Sequence, residues 1–245
     1  MTDLGLEPFL PRNWESLPAL RRTKTEQPVL HRKTWNAAAG TGPKHRARVA
    51  GRALLTDDWV LRIRSTAELA IDFGDFVMNC AKETVERSEC TIPQRLWLKR
   101  RAMAINGIAA AITCENIGAF VDLPLPANAI AIYAPGRDTK PASLFISELP
   151  DVSWTHFGDL DQDGVDIAEQ VAAQCDRRVS LYIPSFADEY REGALAPKRA
   201  WRPRETPWGL VNELKRVGLR IQHEAFITDP RLSMDLAAHL SSLRS

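Results

Sequence analysis

The stretch Val152-Ser-Trp-Thr-His-Phe-Gly-Asp159-Leu-Asp161-Gln-Asp163-Gly164 decides how this chain is read. It runs as a short buried strand into three alternating carboxylates and a glycine, and the helical pattern Val165 to Gln174 follows. Acidic groups at this spacing on a strand end repel one another and resist burial unless a cation neutralises them. Hard divalent ions such as magnesium take oxygen clusters of this kind. Asp159 and Asp161 point to one side of an extended chain, because side-chain direction repeats every second residue. Gly158 and Gly164 let the backbone turn sharply beside them.

Working outward, apolar runs of strand length alternate with helical segments from Ala102 onward. Ile105 to Cys114, Ala129 to Ala134, Val152 to Phe157 and Val179 to Ile183 read as strands. Ile117 to Leu123, Lys140 to Leu149 and Val165 to Gln174 read as the helices between them, with two more at Pro207 to Val217 and Arg231 to Leu243. This alternation predicts an α/β domain with a mainly parallel sheet and helices on both faces. Functional groups in such sheets collect at the carboxyl ends of the strands. Two ends carry acids: Cys114 leads into Glu115-Asn116, and Phe157 leads through Gly158 into Asp159 and Asp161. Neighbouring strands would bring Glu115, Asp159 and Asp161 to one point. Upstream, Trp59 to Arg64 alternates like a strand, while Lys44 to Leu55 and Ala67 to Arg87 have helical periodicity. A boundary near residue 100 separates a basic N-terminal region, 1–100, from the domain of residues 101–245.

The 245 residues are enough for one large domain or two small ones, and 44% apolar with 26% charged residues is ordinary globular composition. A net charge of +1 excludes little, but its distribution is uneven: ten Lys and Arg lie between Arg12 and Arg52 against Glu15 and Glu26. Such an arm suits a polyanion. Lys44, Arg46, Arg48, Arg95, Lys99 and Arg100 are the candidate phosphate contacts, and Lys198, Arg199 and Arg202 beside Trp201 form a second basic rim. Cys80, Cys90, Cys114 and Cys175 lack the pairing of a zinc site. The first residues lack the features of a secretory signal, and no apolar run is long enough to span a bilayer, so a cytoplasmic location is the expectation.

Three other readings of the acidic motif compete. An EF-hand loop also opens Asp-x-Asp-x-Asp-Gly, but it needs a Glu at its twelfth position, where this chain has Gln170, and it follows a helix rather than a strand. A haloacid dehalogenase phosphatase places Asp-x-Asp after an apolar strand with the first Asp as nucleophile; it leaves Glu115 and the basic arm unused. Helix capping is the third. It suits Asp163 alone better than it suits Asp159 and Asp161 together with Glu115.

A strand ending in Glu, followed about one βαβ unit later by a strand ending in Gly-Asp-x-Asp, resembles the Toprim domain of topoisomerases, primases and nucleases. The fuller wording Thr113-Cys-Glu115-Asn116-Ile-Gly-Ala-Phe120, with His156-Phe-Gly158-Asp159-Leu-Asp161 and Gly164-Val-x-Ile167, is similar to one branch. That branch is the C-terminal domain of JetD, the nuclease subunit of Wadjet anti-plasmid systems, related to type IIB topoisomerase A subunits. Arg220-Ile-Gln-His223-Glu224-Ala-Phe226 resembles a further family segment, usually closer to Arg-Leu-Glu-Gln-Glu; Arg220 and Glu224 match, Gln222 and His223 depart. The resemblance covers roughly residues 100 to 228. It implies a Toprim-like fold behind a smaller helical or winged-helix-like N-terminal region, and a site of Glu115, Asp159 and Asp161 for Mg2+ or Mn2+, with Asp163 and Glu224 as further metal ligands.

Topoisomerase relatives cut DNA with a tyrosine upstream of the Toprim glutamate. In this sequence Tyr133, Tyr182 and Tyr190 all follow Glu115, so the expected nucleophile is water. The expectation is a metal-dependent DNA endonuclease in anti-plasmid or anti-phage defence, working with DNA, condensin-like subunits and a second copy of itself, away from membranes. The alternative is a non-catalytic DNA-binding or scaffold subunit that keeps the Toprim shell, with the phosphatase as a minor one.

Overall fold

In the computed structural model, residues 29–33 and 54–243 are described. They fall into two compact units: one comprises the chain up to Val60 together with Pro93–Lys99, the other Leu61–Ile92 and Arg100–Ser245. In the first unit the short strands β1 (Val29–His31) and β2 (Leu54–Thr56) pair in parallel, and helix α2 (Gln94–Trp97) buries Trp97. The helix expected over Lys44 to Leu55 lies largely outside the described residues, and its last two positions belong to β2. Of the region 1–100 read as helical or winged-helix-like, residues 1–28 and 34–53 lie outside the described residues.

The second unit is built on five strands: β3 (Val60–Ser65), β6 (Cys90–Pro93), β8 (Ala110–Cys114), β9 (Ala129–Tyr133) and β10 (Ser153–Phe157). Their order is β10-β8-β9-β3-β6, with β10, β8 and β9 parallel and β3 antiparallel to β9. Every residue of β8 is buried, as expected where a strand is covered on both faces. Helices α3 (Ile117–Asp122) and α4 (Lys140–Ser147) carry the crossovers from β8 to β9 and from β9 to β10. Because the chain goes from β8 to a neighbour on one side and returns to β10 on the other, the strand order reverses at β8. Open α/β sheets bind ligands at such a reversal. Helix α5 (Gln162–Gln174) follows β10, and α6 (Gly209–Val217) and α7 (Leu232–Ser242) close the chain. Ile112, Phe120, Phe157, Leu160, Val165, Tyr182, Leu214, Phe226 and Leu236 join β8, β10 and these helices in one core. This is the mixed, mostly parallel, Toprim-like sheet with flanking helices that the sequence pattern predicts. No helix among the described residues is long and apolar enough to cross a membrane.

Several elements differ from expectation. Ala67 to Arg87 is not one helix: it forms β4 (Glu68–Asp72), β5 (Val77–Asn79) and α1 (Cys80–Arg87). Ala67, Leu69, Ile71 and Phe73 are the buried positions, a period of two. Gly74, at φ +89°, then turns the chain, its N–H bonded to Asp72 Oδ1 at 2.7 Å. Ile105 to Cys114 is two strands, β7 (Ala102–Asn106) and β8, separated at Gly107, φ +70°. β7 and β5 flank β4 in a second, antiparallel sheet. Val179 to Ile183 supplies only a bridge from Leu181 to His156.

Candidate metal centre

Register builds the site. Cys114 stands opposite Phe157 in the parallel pair β8–β10, so the residues that follow each strand meet. The Glu115 N–H donates to the Phe157 carbonyl at 3.2 Å, and the Asp159 N–H donates to Glu115 Oε2 at 3.3 Å. Gly158 lies between them. A Cβ there would sit 2.6 Å from His156 Nε2 and 3.0 Å from Glu115 Oε2, so a side chain would expel one or the other. Burial, and next the Asp159 carboxylate, raise the Glu115 acid to about 7.

Asp159 has the opposite environment. Its burial favours the neutral acid, but hydrogen bonds and charge from His223, with help from Arg220, outweigh burial and hold its acid below the ordinary value. Oδ1 accepts from the His223 backbone N–H at 3.1 Å and lies 2.8 Å from ring Nδ1, and Oδ2 is 3.5 Å from Arg220 Nη1. These contacts exist because Leu160 pairs with Ile221, which brings the 3₁₀ turn His223–Phe226 against the end of β10. Two neighbouring carboxylates therefore hold their protons at well separated pH, the pattern of an acid–base site.

Asp161 is the N-cap of α5: its Oδ1 accepts from the backbone N–H groups of Asp163 and Gly164, both at 3.0 Å. The cap thus belongs to Asp161 rather than Asp163, and burial raises the Asp161 acid. Asp163 faces a cleft of about 660 Å³ whose lining includes Glu115, Arg137, Asp166, Arg199 and Arg202. Arg199 Nη1 lies 3.0 Å from both Asp163 and Asp166, and Arg202 Nη2 is 2.9 Å from Asp166. The basic rim around Trp201 is therefore paired to the acidic face of α5.

Among the described residues, the ligating atoms that come within 4.8 Å of one another are those of Asp159, His223 and Glu224. Glu224 Oε2 is buried with no hydrogen-bond partner and lies 3.6 Å from His223 Nδ1. His223 is fully buried, and its Nε2 is also unpartnered. Uncompensated buried polar atoms are costly, and two carboxylates with an orphaned oxygen between them fit a divalent cation. Glu115 and Asp161 border the same place, each changing the charge balance at Asp159 or responding to it.

Residues 78–204 match the family described as Wadjet protein JetD, C-terminal. The chain belongs to this family. The matched span contains Glu115, Asp159, Asp161 and Asp163 of the JetD-family chain, while His223 and Glu224 lie beyond it. A comparison with curated proteins finds no match. The residue that sequence reasoning did not select is His223; its only signal was its departure from the usual wording of the Arg220–Glu224 segment.

Of the candidate phosphate contacts, Lys44, Arg46 and Arg48 lie outside the described residues. Arg95 is bonded to Asp58, 2.7 Å from Nε to Oδ1, Lys99 is exposed, and Arg100 pairs with Glu148. The tyrosines are committed to packing or hydrogen bonds: Tyr182 Oη donates to Asp235 at 2.7 Å, Tyr190 Oη to Asp229 at 2.9 Å, and Tyr133 stacks on Phe120.

Proposed function

We propose that this chain is the nuclease component of a Wadjet-type defence system, a DNA endonuclease that hydrolyses phosphodiester bonds with Mg2+ or Mn2+. The observation that carries this is the meeting of Glu115 with Asp159 at the strand-order reversal, with Glu224 brought in from a distant turn. Asp159 and Glu224 would hold the cation, beside Glu115 and Asp161, and Asp163 would take part only on leaving its arginines. Bound there, the ion would neutralise charge on the phosphate oxygens. Glu115, with its acid near neutrality, is placed to accept the proton of the attacking water at Oε2. Water adds its oxygen to phosphorus, the phosphorus–oxygen ester bond breaks, and the leaving oxygen takes up a proton. His156, whose ring acid is lowered to about 3 chiefly by burial, stays neutral, its Nδ1 2.8 Å from Thr113 Oγ1. Arg137, Arg199 and Arg202 edge the cleft where a DNA strand would enter. DNA and the other subunits of a condensin-like complex are the proposed partners, with a second copy of the chain cutting the opposite strand.

The test is plasmid cleavage by the full chain with Mg2+ or Mn2+, alone and with the partner subunits of its own system. Asp159→Ala or Glu115→Ala should lower the rate by a factor of ~100 or more while circular dichroism stays unchanged. Cleavage at the wild-type rate by both variants would remove the assignment. A second reading is favoured by one observation: Asp159 is bonded to His223 and lies 3.5 Å from the Arg220 guanidinium without any ion. On that reading the chain is a DNA-binding shell without catalysis, and DNA affinity is indifferent to chelator.

A further inference from the structure

His223 sits where a ligand would be, on the turn that also carries Glu224. A neutral imidazole carries one N–H. With the proton on Nδ1 it is donated to Asp159, and Nε2 is left as a bare lone pair, buried and without a partner. With the proton on Nε2, that N–H is the buried orphan, and Nδ1 turns a lone pair on Asp159 Oδ1 at 2.8 Å with Glu224 Oε2 at 3.6 Å. In the second arrangement three electron-pair donors, two oxygens and a nitrogen, face one another. The nitrogen lies 2.8 and 3.6 Å from the two oxygens, and all three atoms fall within 4.8 Å of one another, against about 3 Å between adjacent ligands for octahedral bonds near 2.1 Å. The His223 backbone N–H holds Asp159 Oδ1 in place whether or not the ring donates. The ring itself is fixed edge-to-face on Phe157, centroids 4.8 Å apart, and is fully buried, so it is delivered without a rotamer search.

We propose that His223 joins Asp159 and Glu224 as a nitrogen ligand, and that this site selects a first-row transition cation over Mg2+. Magnesium keeps an oxygen shell and gives up water reluctantly, whereas imidazole favours the transition ions. The inference rests on the metal-dependent reading above and refines it to the class of ion.

The experiment uses the full-length chain with Mn2+ as probe. Paramagnetic resonance of free Mn2+ gives its affinity, titration with Mg2+ gives the competition, and the electron spin echo of bound Mn2+ reports a coordinated nitrogen. Wild type should show nitrogen modulation and prefer Mn2+ over Mg2+. His223→Gln should lose the modulation and weaken Mn2+ by about tenfold or more, with Mg2+ less affected. His156→Gln should keep the modulation, which assigns the nitrogen even if the first variant does not fold. Absence of nitrogen coupling in wild type, equal affinity for both ions, or failure to retain Mn2+ overturns the proposal. Nitrogen-bound Mn2+ in a protein that leaves plasmid intact removes the nuclease reading instead. Cleavage with either ion and no nitrogen coupling removes only this inference.

Discussion

Glu115 makes stability depend on pH in a defined direction. Its folded-state acid is raised to about 7 from 4.5. The contribution is present in full below the unfolded value and is lost as pH rises through the folded one. The cation-free protein should therefore lose stability between about pH 4.5 and about pH 7, by roughly 3 kcal/mol at about 1.4 kcal/mol per pKa unit. Glu115→Gln should flatten that dependence; urea midpoints with chelator at about pH 5 and about pH 8 measure it, and parallel curves for both proteins would contradict it. Gly158 is the other residue whose role is local. Gly158→Ala places a methyl against His156 Nε2 and Glu115 Oε2 and should cost about 1–3 kcal/mol, with a larger loss of cleavage than Ser or Ala changes on the outer face of α5. At this scale the acids were legible in sequence, since strand-end carboxylates at two-residue spacing have few other uses. His223 was not, because a lone histidine has the same appearance in sequence whether it packs or ligates.

Helix α5 depends on Asp161 at its start and on Gly164 one turn in. The Asp161 side chain satisfies two of the free N–H groups of the first turn, so Asp161→Ala should cost about 1 kcal/mol. Asp161→Asn keeps a capping oxygen and removes the charge. It should leave the thermal midpoint nearly unchanged while reducing cleavage, and this separates capping from a role at the cation. Equal activity of Asp161→Asn and wild type would confine Asp161 to the cap. A Cβ on Gly164 would lie 2.1 Å from the Asp159 carbonyl oxygen, a backbone atom that cannot move aside alone. Gly164→Ala should thus shift Asp159 itself, visible as lost cation binding. Buried strands β8 and β9 were readable as mainly apolar runs. The difference at Ala67 to Arg87 has a physical source: Ala70, Phe73, Phe76, Val77 and Cys80 imitate a helical stripe, while from Ala67 to Phe73 the buried positions alternate as Ala67, Leu69, Ile71 and Phe73.

On the scale of the whole unit, a cation joining β10 to the turn at His223 links parts of the chain 64 residues apart. An ion that binds only the folded state stabilises it by mass action, roughly 2.7 kcal/mol at about 100 times Kd. Calorimetry should show a rise in Tm with Mn2+ that is absent in Asp159→Ala; an identical rise in both would place the ion elsewhere. Tyr182 and Tyr190 are tied to Asp235 and Asp229, in keeping with water as nucleophile. A covalent protein–DNA adduct in stopped reactions would contradict that.

Hydrophobic period and strand-end acids are properties of contiguous residues, so the sequence alone determined the α/β class and the strands after which Glu115 and Asp159 follow. The pairing of Phe157 with Cys114, the return of Ile221 against Leu160, and the contacts of Asp159 with His223 and Arg220 are long-range. Local preference carries no information about them; packing decides them, because each buries apolar surface and satisfies backbone groups at the sheet end that no nearby residue can reach.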